Sequence, residues 1–119
     1  MWSSRDGRAL WSGRLLNDWV APLVEEVVDI LDPHAVWLFG SVARGDDGAD
    51  SDIDLLVVLS EFDPATTVAL KRNVLQAVSV PAPFDVAFTD SRRFAERRRI
   101  AGTLERAAAQ EGRVVYERG

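Results

Sequence analysis

Residues 39–59 read FGSVARGDDGADSDIDLLVVL, and this stretch decides how the rest of the chain is read. It follows the apolar run Ala35-Val36-Trp37-Leu38, opens with Gly40-Ser41, and closes as Asp52 and Asp54 enter a second apolar run, Ile53 and Leu55 to Leu59. Two strands joined by a polar, glycine-containing connection are expected. Aspartates at i and i+2 on a strand project to the same face. Two carboxylates side by side repel unless a cation lies between them, and hard oxygen ligands suit Mg²⁺. Gly40 lets a backbone approach a bulky ligand, while Ser41 offers a hydroxyl and N–H groups at a helix start, where phosphate is held well. A phosphate cradle beside paired carboxylates implies metal-assisted phosphoryl or nucleotidyl transfer.

Gly40-Ser41, a gap of ten residues, then Asp52-Ile53-Asp54 resembles the signature of the polymerase-beta-type nucleotidyltransferases. With Ala43-Arg44-Gly45 and Ser51 included, the pattern is similar to the minimal nucleotidyltransferases, the antitoxin half of HEPN–MNT toxin–antitoxin pairs. The resemblance extends more weakly to a third aspartate, Asp85, on a later strand and to the ending Glu111-Gly112, Val114-Val115-Tyr116. It implies catalytic and metal-holding roles for Asp52, Asp54 and Asp85, with two Mg²⁺ ions and ATP as substrate. Gly40, Ser41 and Arg44 would contact the nucleotide, and Asp85 would take the proton from the attacking hydroxyl. That last role requires the strand of Asp85 to neighbour the strand of Asp54.

The 119 residues suit one domain with a real core. A loose segment over 1–13 and a nucleotidyltransferase domain over 14–119 are expected. There is no cysteine, hence no disulfide framework and no thiolate metal site. With no signal-like core and no apolar run of membrane-spanning length, a cytoplasmic location is expected. The net charge of −5 is uneven: residues 1–90 hold six Lys/Arg against fifteen Asp/Glu, and residues 91–119 hold eight Arg against four Glu. The acidic part contains the proposed metal site, and an acidic chain argues against broad nucleic-acid binding.

Leu15, Leu16, Trp19, Val20, Leu23, Val24, Val27, Val28 and Leu31 recur at helical spacing over 14–31, with Pro22 as either a kink or the start of a second helix. Residues 35–39 predict a buried strand and 42–45 a short helix. Residues 64–78 predict a helix with Val68, Leu70, Val74, Leu75 and Val78 on its apolar face, capped by Asp63 or Ser60. Lys71 and Arg72 are expected in solvent. Phe84, Val86 and Phe88 alternate with Asp85 and Ala87 as in a strand. A final helix capped by Ser91 is expected to run to about Gln110, with Phe94, Ile100, Ala101, Leu104, Ala107 and Ala108 facing the core and Arg92, Arg93, Arg97, Arg98 and Arg99 crowding its first half. A short strand, 113–117, closes the chain.

Two other readings of the motif fail. Asp50, Asp52, Asp54 and Glu61 match an EF-hand's outer spacing, but Leu55 stands where that loop needs glycine. A Walker A loop is excluded because no Lys-Ser/Thr follows the glycines. The single histidine, His34, makes no metal cluster.

The expected fold is α/β: a mixed sheet of about four strands with helices packed on it. A chain of this length leaves no room for an acceptor-holding domain, so the acceptor is expected on a partner or on a second copy. The resemblance implies that the partner is a HEPN ribonuclease toxin, adenylylated on tyrosine. The alternatives are an antitoxin that acts by binding alone, and a free-standing transferase for a small molecule or RNA end.

Overall fold

The structure is a computed structural model that describes residues 2–5 and 8–119, with side chains described from Leu10 onward. The apolar run Ile53–Leu59 forms β5, the strand around which the molecule is built. Five of its seven residues are buried, as expected of a strand covered on both faces. It pairs antiparallel with β4, Ala35–Phe39, and parallel with β6, Phe84–Asp90. A fourth strand, β7, Arg113–Glu117, lies antiparallel on the far side of β4, so the sheet order is β6-β5-β4-β7. The expected mixed four-stranded α/β sheet is therefore present.

A parallel neighbour requires a crossover. Here it consists of a 3-10 turn, Pro64–Thr66, and helix α3, Thr67–Ala77. Asp63 caps this segment by accepting the Ala65 N–H at 3.0 Å. Val74 is buried from α3, but Val68 and Leu75, expected in the core, are 69% and 61% exposed. A crossover helix at the sheet edge buries only the narrow stripe that meets the sheet and helix α1, Leu16–Leu31. Leu16, Val20, Leu23, Val24 and Val27 of α1 pack on the face formed by Val36, Leu38, Ile53, Leu55, Val57 and Val86. One helix runs through Pro22 and stops at Asp32, which takes a left-handed conformation (φ 46°) and donates its N–H to Val28.

The opposite face carries Ala35, Leu56 and Val58 beneath Phe94 and Ala108, with Trp37 stacked on Phe94 at 5.1 Å. The arginine-rich helix expected over 91–110 is two helices: α4, Ser91–Arg97, and α5, Leu104–Glu111. Asp90, not Ser91, caps α4 by accepting the Arg93 N–H at 2.7 Å. Gly102 at φ +87° turns the chain, and the Thr103 hydroxyl restarts the helix by accepting the Arg106 N–H at 3.1 Å. The break leaves Ile100, Ala101 and Leu104 exposed, so only Phe94 and Ala108 of the expected core face are buried.

The segment read as loose carries strands β1, Trp2–Arg5, and β2, Arg8–Trp11, joined antiparallel to a two-residue β3, Arg14–Leu15. Leu10 is buried, and the Trp11 carbonyl accepts a hydrogen bond from Trp19 Nε1 at 2.8 Å, which ties the segment to α1. Trp11 packs back on the domain; the side chain of Trp2 lies outside the described residues.

Candidate active site

Alternation along β5 sends Asp54 to the same face as Leu56 and Val58, the face covered by α4 and α5. The parallel register pairs Asp54 with Asp85 across the β5–β6 ladder, and the antiparallel register pairs it with Phe39 on the other side. The neighbour relation required of the two strands therefore holds. Asp52 lies two residues earlier, immediately before β5.

Directly after Phe39 the chain turns into α2, Gly40–Arg44. Gly40 has φ +78°, and a Cβ added there would run into the Asp54 carboxylate, about 3.1 Å from its Cγ. Backbone geometry and the approach of Asp54 thus both demand glycine. Phe39, at the N-cap of α2, offers no side-chain hydrogen bond to the first helical N–H groups, those beginning at Gly40 and Ser41.

The half-buried Asp54 carboxyl is pushed up to about 7, first by burial, then by the hydrogen bond and charge of Asp52 and by the charge of Asp85. The Arg44 guanidinium opposes that rise. Arg44 itself is exposed, with Nε 3.1 Å from Asp46 and a terminal nitrogen 3.1 Å from Glu111, pairs that hold its proton more tightly than usual. The Asp85 carboxylate is more exposed and leans on Lys71, with Nζ 3.5 Å from Oδ1. Lys71, expected in solvent, instead reaches the candidate site because the crossover helix returns beside the strand it leads into.

Among the described residues, no three carboxylate or imidazole side chains converge as a ready metal cage. What the site offers a divalent cation is the Asp52–Asp54 pair. Its oxygens are hard donors, and its mutual repulsion is what a cation relieves. On that chemistry Asp52 and Asp54 fit Mg²⁺. A cavity of about 400 Å³ opens farther along β6, bounded by Leu56, Ala87, Lys71, Arg93, Thr103 and Leu104. A separate groove of about 500 Å³, between α1 and β7, is lined by Val20 and Val24 and so lies on the other face of the sheet from Asp54.

A Gly-Ser turn entering a short helix, set against an Asp-x-Asp strand with a third aspartate on its parallel neighbour, defines a nucleotidyltransferase-type domain. The family described as Polymerase beta, Nucleotidyltransferase matches residues 24–119, and the chain belongs to that family. Solved structures share the fold. A candidate nucleotidyltransferase from Sulfolobus solfataricus aligns with TM-score 0.57 and 22% identity, over 87% of this chain and 81% of the other. A toxin–antitoxin with AMP-PNP aligns with TM-score 0.53 and 18% identity, over 83% of this chain and 74% of the other. A toxin–antitoxin MntA-HpeT mutant aligns with TM-score 0.52 and 15% identity, over 87% of this chain and 75% of the other. Among curated proteins nothing matches the chain. Among the described residues no helix is long and apolar enough to cross a membrane.

Proposed function

We propose that the chain transfers AMP from ATP to a hydroxyl, in the first instance a tyrosine, of a partner HEPN-type toxin and so acts as its antitoxin. The observation that carries this reading is the Asp54–Asp85 register beside Asp52 and Gly40. The family match supports nucleotidyl transfer, and the likeness in fold to toxin–antitoxin complexes, one holding a nucleotide analogue, supports the choice of partner.

In this reading Asp52 and Asp54 hold Mg²⁺, with Asp85 completing the set. Bound Mg²⁺ supplies the positive charge that offsets the triphosphate and the developing pyrophosphate. Gly40 and Ser41 seat the β- and γ-phosphates, with Arg44 a further contact once it leaves Asp46 or Glu111. Asp85 accepts the proton from the acceptor hydroxyl. The hydroxyl oxygen bonds to the α-phosphorus, the bond to the bridging oxygen of pyrophosphate breaks, and the proton passes from Asp85 to solvent.

Intact-mass spectrometry of the toxin, incubated with the chain, ATP and Mg²⁺, tests the proposal. A gain of AMP-sized mass is expected with the wild type and none with Asp52→Ala/Asp54→Ala, while circular dichroism shows both chains folded. Undiminished transfer by the double variant overturns the assignment. Tight binding with no mass gain from the wild type replaces it with an antitoxin that acts by occupancy.

A further inference from the structure

We propose that the 400 Å³ cavity beside Asp85 is the docking site for an acidic, partly apolar peptide segment of the acceptor protein, with Arg93 and Lys71 as its charged contacts. The inference rests on the nucleotidyl-transfer reading and extends it to the acceptor side.

Position supports it first. Ala87, in the cavity wall, is on the same face of β6 as Asp85 and one side-chain repeat farther on, roughly 7 Å along the strand. Lys71 belongs to both places: it lines the cavity and holds Asp85 at 3.5 Å. A chain lying in the cavity can therefore set a hydroxyl beside Asp85.

Charge supports it second. Five arginines fall within residues 92–99, and the overall acidity of the chain gives no reason for them. Arg97 is accounted for by buried Glu105, at 3.3 Å, and Arg98 covers Phe94. Arg93 is not. Its Nε is buried without a hydrogen-bond partner, its guanidinium lies 6.0 Å from the Phe62 ring centre, and no carboxylate pairs with it among the described residues. A guanidinium in the cavity wall with no counter-charge favours a carboxylate from outside.

The rim supports it third and selects the class of ligand. Leu104, 48% exposed, lines the cavity with Phe62 and Pro64, and Glu105 in the same wall is already paired with Arg97. Apolar side chains around a cationic centre suit a folded or extended polypeptide. Glu61, Asp63 and Asp90 line the adjoining groove and repel any anionic chain, which confines the acidic group of the ligand to the neighbourhood of Arg93 and Lys71 and disfavours a strand charged at every residue, as a nucleic acid is.

The test uses the full chain and three fluorescent probes: a short peptide with one tyrosine flanked by glutamates and leucines, its counterpart with lysines for glutamates, and a single-stranded RNA with a free 3′-hydroxyl. Anisotropy without ATP measures docking alone. The acidic peptide is expected to bind roughly tenfold or more tightly than the lysine peptide, with Arg93→Gln removing most of that preference. If Arg93→Gln fails to fold, Leu104→Asp takes its place and is expected to weaken the acidic peptide selectively. Equal binding of the two peptides, tighter binding of the RNA, or a preference untouched by the variant overturns the inference. Adding ATP and Mg²⁺ then separates the two readings. Docking without transfer to any acceptor counts against the proposed activity and not the surface; transfer without the acidic preference counts against the surface and not the activity.

Discussion

Replacing Asp54 with asparagine should make the metal-free protein more stable while removing its activity. In the fold, burial and the neighbouring Asp52 and Asp85 raise the Asp54 carboxyl from 3.8 to about 7. Its proton is thus held more tightly in the folded than in the unfolded state. The stability it contributes is fully present below the unfolded value and is lost as pH rises through about 7. Above that, the ionised pair opposes folding. At about 1.4 kcal/mol per pH unit the ceiling is about 4 kcal/mol, and exposure of part of the carboxylate to water lowers it to about 1–2 kcal/mol. The amide of the Asp54→Asn variant carries no charge and escapes this cost, so thermal melting at pH 8 without divalent ions should show a midpoint raised by about 4–8 °C for a domain of this size. The gain should shrink as pH falls from 8 towards 4. The variant should have lost the response to Mg²⁺, which in the wild type offsets the repulsion and raises the midpoint at pH 8. A variant less stable than wild type at every pH, or a gain independent of pH, would refute the argument that Asp54 stores electrostatic strain.

Two further substitutions test the frame around the site. Gly40→Ala forces a Cβ onto the Asp54 carboxylate from a backbone at φ +78°, so a stability loss of about 1–2 kcal/mol is expected by urea melting, with transfer reduced by about 100-fold. Wild-type transfer by this variant would show that the close approach is not needed. Glu105, 5% exposed, accepts the hydroxyl proton of fully buried Thr89 at 2.8 Å and pairs with Arg97, so Glu105→Ala should cost about 2–4 kcal/mol. Combining it with Thr89→Val should restore part of that loss in a double-mutant cycle, and strict additivity would argue that the buried pair is not coupled.

Much of this architecture is legible in one dimension because the signals are local. The apolar run of β5 and the alternation of Phe84, Val86 and Phe88 state strand and facing directly, and the stripe of α1 states a helix through its period. Gly40 reads as a close-approach glycine because its neighbours are an apolar strand and a serine. The arginine-rich helix misled for a physical reason. Ile100, Ala101 and Leu104 continue the helical period, but Gly102 and Thr103 provide a turn and a cap, and the competition is settled by Phe94 and Ala108 docking separately on the sheet. Val68 and Leu75 misled likewise, since a period says which residues share a face and not whether a partner covers it.

The main strands and helices, the glycine turn and the pair Asp52–Asp54 follow from the order of residues alone, because interactions among residues a few positions apart set them. What meets across the sheet follows from the folded chain. The β5–β6 register brings Asp85 beside Asp54, the crossover carries Lys71 to Asp85, and the break between α4 and α5 buries Glu105 against Thr89 and leaves Arg93 without a counter-charge. Most of these contacts join residues far apart in the chain. They depend on strand order and helix docking, which come from burying the whole apolar surface at once rather than from any local pattern.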